Sequence, residues 1–298
     1  MRIMVEAIGS MACNAGIKNI KQAGFFAIGT DASAECFTQV LCDEFYQVPL
    51  ASDPNSVSFL KKLVVDKKID LVIPTLDEGM IPWAKAVDEL EKEKVFVAIS
   101  PLETIEICED KWRTYCFFKE NGIQTPLTSL KQEYSLVKPI NGRGGTGVLI
   151  EPGEIDMTGM ISQELLQGKE YTIDVLCDKN GCPIYIVPRE RLGIKEGKST
   201  GGLVVKNPEI EDGVRKICAA LKFRGPINIQ CFLCNDNTIK FTEINPRMGG
   251  GTALGMAATE NWIPLMVDTF VHKKKIYPKA DIQYGLKMGR YYNEIFYK

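Results

Sequence analysis

The run Phe241-Thr242-Glu243-Ile244-Asn245-Pro246-Arg247, with Gly249-Gly250-Gly251 close behind, constrains the fold more than any other stretch of the chain. Its apolar/polar alternation is that of a β-strand, whose successive side chains point to opposite faces. Glu243 and Asn245 therefore share a face, one pleat apart. A carboxylate and an amide carbonyl so placed are hard oxygen ligands suited to Mg²⁺, which takes few protein groups and leaves room for phosphate oxygens. Pro246 ends the strand, and Arg247 projects beyond it with a planar fork that matches a phosphate. The plainer alternative is an edge strand with a solvated, charged end.

Such a strand needs a soluble body around it. The 298 residues, 45% hydrophobic and 25% charged, suffice for two domains or one large one. A net charge of -2 without any Lys/Arg block gives no electrostatic footprint for nucleic acid. No apolar run approaches the ~20 residues of a membrane span. The opening Met1-Arg2-Ile3-Met4-Val5 reads as a strand and not as a signal peptide, and ten scattered cysteines suit a reducing, cytoplasmic setting. Cys231 and Cys234 form a CxxC inside a strand-like run, with no second pair, so a buried strand is expected there. His272 is the only histidine, which excludes a histidine-built metal cluster and disfavours a Ser-His-Asp triad.

From Met1 to about Pro101 strand-like runs (Arg2–Ile8, Phe25–Thr30, Leu71–Thr75, Val95–Ser100) alternate with helix-like runs (Val57–Lys67, Trp83–Lys92). That order predicts a parallel α/β sheet that binds ligands at the carboxyl ends of its strands. Thr30-Asp31 and Thr75-Leu76-Asp77-Glu78 lie at such ends. The opening glycines do not form GxGxxG, which disfavours a dinucleotide site although Asp31 sits where a ribose would be held. Asp77 and Glu78 suit a helix start as well as a substrate. Beyond Pro101 the texture becomes α+β: a helix over Glu109–Asn121, a strand over Ser135–Lys138, and strands over Tyr171–Cys177, Pro183–Pro188, Ile227–Leu233 and Thr238–Ile244. Helices are expected over Asp212–Leu221 and Thr252–Val271. The boundaries expected are thus 1–101 and 102–298.

Four elements of the second region fit around a nucleotide. Lys138 precedes the loop Asn141-Gly142-Arg143-Gly144-Gly145-Thr146-Gly147, whose glycines can take positive φ and turn backbone N–H groups towards phosphates. The loop lacks a GK[ST] ending, so it is not a Walker A motif, and a hairpin turn would look alike. Lys111 lies on the preceding helix, where a solvated lysine is equally ordinary. In Gln163-Glu164-Leu165-Leu166-Gln167-Gly168-Lys169-Glu170 a hinge could meet a purine edge and then a ribose. Gln230 on a neighbouring strand completes an oxygen set with Glu243 and Asn245.

This ordered set resembles the ATP-grasp superfamily, most closely single-module proteins similar to half of the carbamoyl-phosphate synthase large subunit. The resemblance spans nearly the whole chain and implies a pre-ATP-grasp parallel α/β domain followed by a two-lobed ATP-grasp domain. It implies ATP and Mg²⁺ (with Mn²⁺ as an alternative ion) as cofactors. Lys111 and Lys138 match positions that contact ATP phosphates, and Gly144, Gly145 and Gly147 match the flexible lid. Glu164 and Leu166 match the adenine hinge, and Glu170 the ribose carboxylate. Gln230, Glu243 and Asn245 match the metal positions, and Arg247 the arginine that steadies the transferred phosphoryl group. Two departures stand out: carbamoyl-phosphate synthase has arginines where this chain has Lys111 and Lys138, and there is neither a tandem copy nor a glutaminase domain.

The resemblance implies an ATP-dependent carboxylate–amine ligase acting through an acyl phosphate, with Lys138, Arg247 and Arg191 as catalytic candidates. The partners implied are a small-molecule carboxylate and amine, with no nucleic acid or membrane; a homodimer is left open. Arg189 and Arg191 alternate on one strand face ahead of Lys195-Glu196-Gly197-Lys198, suiting an acidic substrate or a solvated strand end. The glycine run before Thr252 opens the expected last helix, whose N-terminus suits a carboxylate. Competing readings are phosphorylation of a small carboxylate in the manner of carbamoyl-phosphate synthase, a non-catalytic nucleotide-binding protein, and an NAD-linked oxidoreductase.

Overall fold

The computed structural model describes residues 1–10, 13–142, 144–195, 198–291 and 294–296. Apolar runs bounded by turns build a five-stranded parallel sheet at the front of the chain: β1 (Arg2–Val5), β2 (Phe26–Asp31), β3 (Glu44–Gln47), β4 (Leu71–Ile73) and β5 (Phe96–Val97). The order is β3-β2-β1-β4-β5, so the topology reverses between β1 and β4. Helices α1 (Asn14–Gln22), α2 (Ser56–Asp66) and α3 (Asp77–Lys92) make the crossovers. The alternation of strands and helices predicted this sheet; α1 and β3, both short and with mixed polarity, escaped notice. Helix α3 begins at Asp77, six residues ahead of the expected start, and runs through Pro82 at the cost of one intrahelical hydrogen bond.

After α4 (Leu102–Glu109) and α5 (Lys111–Glu120) the chain enters a small antiparallel sheet. The helix expected over Glu109–Asn121 is α5, while α4 ahead of it escaped notice; Asp110 separates them, its carboxylate capping α5 by accepting from Arg113 N–H at 2.9 Å. The small sheet holds β6 (Thr128–Ser129), β7 (Leu136–Pro139), β8 (Leu149–Ile150) and β9 (Met160–Gln163) in the order β6-β9-β7-β8. A larger sheet follows: β10 (Gly168–Cys177), β11 (Pro183–Lys195), β12 (Lys198–Val204), β13 (Gly225–Cys234), β14 (Ile239–Asn245) and β15 (Lys287–Gly289). Its order is β14-β13-β10-β11-β12-β15. Helix α6 (Pro208–Ala220) covers one face, packing Ile210, Val214 and Ile217 against Ile173, Val175, Ile227 and Ile229. Glu196 and Gly197 lie outside the described residues.

The expected long helix over Thr252–Val271 is instead three short pieces: α7 (Thr252–Ala257), α8 (Trp262–Met266) and a π-helical turn over Val267–Val271. Asn261 restarts the chain by accepting from Ile263 N–H at 3.0 Å. One apolar cluster joins Ile3 and Val5 of the front sheet and Ile17 of α1 to Val187, Leu254 and Trp262. The two regions therefore share a core.

The opposite face of the large sheet is polar and centred on Asp174, fully buried on β10. Arg189 donates to it through Nε at 2.7 Å, Asn228 through Nδ2 at 2.6 Å and Thr252 through Oγ1 at 3.2 Å. The glycine run fits because side chains there would collide: a Cβ on Gly251 would lie 2.0 Å from Arg189 Nη2, and one on Gly249 1.5 Å from Asn228 Oδ1. Removing one partner of a buried ion pair leaves the other charge uncompensated, at about 3–5 kcal/mol. Asp174→Ala is therefore expected to lose stability of about that size in urea unfolding, more than Lys62→Ala in the exposed Lys62–Asp66 pair, which should cost under about 1 kcal/mol.

Candidate active site

Period-two alternation places the candidate residues of the large sheet on the Asp174 face. Register pairs Asn245 with Asn228 and Asn228 with Asp174. The next rung reads Glu243, Gln230, Thr172 and Arg189 across four strands. One rung further, Glu170 and Arg191 pair as ions across β10 and β11. A bulge after Gln230 shifts β14 by one residue and so keeps Glu243 and Asn245 on this face. Asn245 Nδ2 donates to Glu243 Oε1 at 2.9 Å, and Gln230 is half-buried beside them.

Arg247, just past the strand, ties this face to the front sheet. Its Nη2 donates to Asp77 Oδ2 at 2.9 Å and to Asn245 Oδ1 at 3.2 Å, while its Nε bonds Asp77 Oδ1. Burial by itself would depress the arginine; the bond and charge of Asp77 together with the charge of Glu243 outweigh it and hold the guanidinium charged. Asp77 thus serves an arginine from the other region, in addition to lying in the first turn of α3, where its charge suits the helix dipole.

The small sheet supplies the lysines. Lys138 on β7 donates to Gln163 Oε1 at 2.8 Å, and Gln163 Nε2 donates to Thr128 Oγ1 at 3.0 Å. Burial pushes the Lys138 ammonium down to about 8; Glu243 opposes this and Lys111 adds to it. These two influences bring Lys138, Lys111 and Glu243 into one electrostatic neighbourhood. Lys111, first residue of α5, donates from Nζ to Gly142 O at 2.7 Å, and its backbone N–H donates to Ile140 O at 3.1 Å. The loop it holds is exposed, with φ of 65° at Gly144, 74° at Gly145 and 75° at Gly147. Only glycine takes that conformation routinely. Arg143 lies outside the described residues.

Some expected positions have other partners. Arg189 is 3% exposed and held by Asp174, so the expectation that Arg189 and Arg191 together face an acidic substrate, or else solvent, is corrected for Arg189: a buried carboxylate on the same face claims it. Arg191 meets Glu170, so two residues read as serving different ligand groups contact each other. Glu164 receives Lys240 Nζ at 2.7 and 2.8 Å and Leu127 N–H at 3.1 Å; burial alone would raise its carboxyl, but these bonds hold it below the usual range. Leu166 is half-buried in the irregular segment between β9 and β10. The glycine run opens a helix of only six residues, and Thr252 Oγ1 is engaged with Gly249 N–H and Asp174. The carboxylate site expected at that helix start is therefore not built.

Residues 156–289 match the family described as ATP-grasp in the biosynthetic pathway with Ter operon. That part of the chain is similar to ATP-grasp proteins. It is 23% identical over 268 residues to the carbamoyl phosphate synthase arginine-specific large chain of Bacillus subtilis, covering 78% of this chain and 25% of that protein. The chain thus spans about a quarter of the length of such relatives. The biotin carboxylase domain of 2-oxoglutarate carboxylase from Hydrogenobacter thermophilus, solved with MgADP and bicarbonate, superposes with TM-score 0.74 at 16% identity. That match covers 96% of this chain and 73% of the other. An L-amino acid ligase from Bacillus licheniformis gives TM-score 0.71 at 18% identity, covering 89% and 73%. These likenesses bear on the fold.

In this chain, sequence reasoning missed Lys240, Asp174 and Asn228, and the bond of Gln163 to Lys138. Lys240 had a signal: a lysine on a strand beside the acid-bearing segment 163–170 needs a counter-charge. Asp174 had a weaker one, a carboxylate inside an apolar run, which a buried strand tolerates only when it is paired. Among the described residues no group of three or more His, Cys, Asp or Glu forms a metal cluster. Glu243, Asn245 and Gln230 nonetheless fit Mg²⁺, which binds through one or two carboxylates plus substrate phosphates. The charge coupling is testable without ligand. Glu243→Gln removes the anion that supports the Lys138 ammonium, so its titration, followed by NMR of the Nζ group, should move to still lower pH than about 8.

Proposed function

We propose that this protein is an ATP-dependent carboxylate–amine ligase with two working parts, residues 1–101 and 102–298. The observation that supports it best is that Lys138 and Arg247 both lie within the electrostatic reach of Glu243, which is bonded to Asn245. Two cations around one carboxylate–amide pair suit a triphosphate neutralised by a divalent ion. They offer no nucleophile, which matches phosphoryl transfer, where the protein positions groups and compensates charge. ATP would lie between the small and large sheets. The segment Glu164–Leu166, pinned by Lys240, would present backbone groups to adenine, and Glu170 the ribose carboxylate. Gly144, Gly145 and Gly147 would cover the phosphates, with Lys111 bracing the loop from below.

Glu243 and Asn245, with Gln230, would hold Mg²⁺, which when bound neutralises phosphate charge. The substrate carboxylate oxygen would form a bond to the γ-phosphorus as ADP departs. The amine nitrogen would then form the C–N bond to the acyl carbon, losing a proton as phosphate leaves. Arg247 would steady the phosphoryl oxygens, and Arg191, on leaving Glu170, would be within the same face for the acid. A homodimer and a cytoplasmic setting belong to this reading as well; no helix among the described residues is long and apolar enough to cross a membrane.

Phosphate release over pairs of small acids and amines tests the proposal. Glu243→Ala should reduce turnover at least about a hundredfold with its unfolding free energy within about 1 kcal/mol of the parent, since the residue is half-buried and outside the apolar core. Unchanged release would remove the metal assignment. Lys138 gives a second handle: its charged form binds phosphate, so ATP affinity should weaken as pH rises through about 8. Lys138→Met should bind ATP weakly at every pH, with that dependence gone.

A further inference from the structure

A cleft of about 350 Å³ lies in the front sheet, apart from the polar face of the large sheet. It opens over the carboxyl ends of β1, β2 and β4, where the strand order reverses, between α2 and α3. Ligands of open α/β sheets occupy this position, and the volume is at the lower end for small-molecule pockets. Its walls are apolar, built by Val48, Leu60, Pro82 and Trp83, and Leu50 stands 66% exposed at the rim.

The charges facing this space are mostly negative. Glu6 extends β1 and is 3% exposed; Asp31 comes from β2, Glu78 from α3, and Lys61 from α2. Lys61 is drawn outward to Glu89. Glu6 accepts from Trp83 Nε1 at 2.8 Å, from Thr75 N–H at 3.3 Å and from the Leu76 backbone, all neutral donors with no cation among them. A buried carboxylate without a counter-ion is costly, and burial accordingly raises Glu6 to about 7. Helix α3 also carries Gly79 against this carboxyl. A methyl there would stand 3.7 Å from both Glu6 oxygens and would favour the helix, yet the position is left open.

We propose that the cleft binds the amine substrate, a primary organic ammonium with an apolar body, whose charge is met by Glu6 and whose body lies along Leu60 and Trp83. An anion would meet Asp31 and Glu78 as well as Glu6, and a neutral apolar molecule would leave Glu6 to its neutral donors, favouring the protonated carboxyl, whereas an ammonium favours its ionised form. The cleft adjoins the reaction site through α3, because Glu78 lines it and the preceding Asp77 holds Arg247. Thr75 makes a second bridge: its hydroxyl donates to Glu6 O at 2.8 Å and meets Cys13 Sγ at 3.6 Å, a thiol in the field of Arg247. The assignment as amine substrate rests on the ligase reading; the ammonium site itself does not.

Nucleotide-free protein titrated with phenethylamine, 2-phenylethanol and phenylacetate separates the two, read by calorimetry and by indole fluorescence, since Trp83 lines the cleft. Phenethylamine should bind, with affinity rising as pH increases through about 7 and Glu6 ionises, and the alcohol and acid should not. Glu6→Gln should weaken it at least tenfold and flatten the pH dependence. Gly79→Ala, which keeps Glu6 and its donors, should weaken it comparably and guards against a folding defect in the first variant. Equal binding of the alcohol or the acid, or phenethylamine binding indifferent to both substitutions, would overturn the site. Ammonium binding that persists while no acid–amine pair supports phosphate release would keep the site and reject the ligase reading.

Discussion

Asp174 carries no solvent exposure, yet it decides what the polar face of the large sheet can be. A carboxylate inside a sheet must be compensated, and its partners come from three other elements: Arg189 on β11, Asn228 on β13 and Thr252 at the start of α7. Once Arg189 and Asn228 occupy that space, the chain passing over them has room for backbone only. That is why Gly249 and Gly251 lack side chains. The glycine run is thus a packing requirement of a buried ion pair, and Arg247, two residues before it, is held at a fixed place relative to the sheet. The same rung pattern sets Glu243 and Gln230 opposite each other.

The Arg247–Asp77 pair extends this order to the front sheet. Both oxygens of Asp77 are engaged by one planar guanidinium, a geometry more specific than a single contact between exposed groups. The pair joins the end of β14 to the first turn of α3. Any shift of α3 therefore reaches Arg247, and Arg247 also touches Asn245. The acids around it are crowded: Glu109, raised to about 7 chiefly by burial, also feels Asp77 and Glu78. Arg247 offsets part of that negative charge in the absence of any ligand.

Much of this was legible because strands have a strict period of two. Glu243 with Asn245, and Gln230 on a neighbouring strand, could be placed on one face by counting, and the parallel sheet followed from the order of runs. What counting could not give was partner choice. Arg189 and Arg191 look alike in the sequence; one is buried by Asp174 and the other lies on Glu170, because cross-strand register, invisible in one strand, selects the neighbour. Glu164 likewise depends on Lys240, 76 positions away. The last helix failed for a local reason. Apolar periodicity continues through residues 252–271, but Asn261 and Pro264 interrupt the ladder, and the segment packs as three short pieces.

The lysine at position 138 gives the site a property that an arginine would not. A guanidinium stays charged when buried, whereas an ammonium can shed its proton, and burial brings Lys138 to about 8. Above that pH the site therefore relieves the repulsion between Lys138 and Lys111. Glu243 limits the shift, so the carboxylate that suits a divalent ion also sets the protonation of the lysine that suits a phosphate. A polyanion entering this neighbourhood favours the ammonium form and draws a proton onto Lys138. Ligand charge, lysine protonation and the Glu243 carboxylate are in this way one coupled equilibrium, built from residues on two facing sheets.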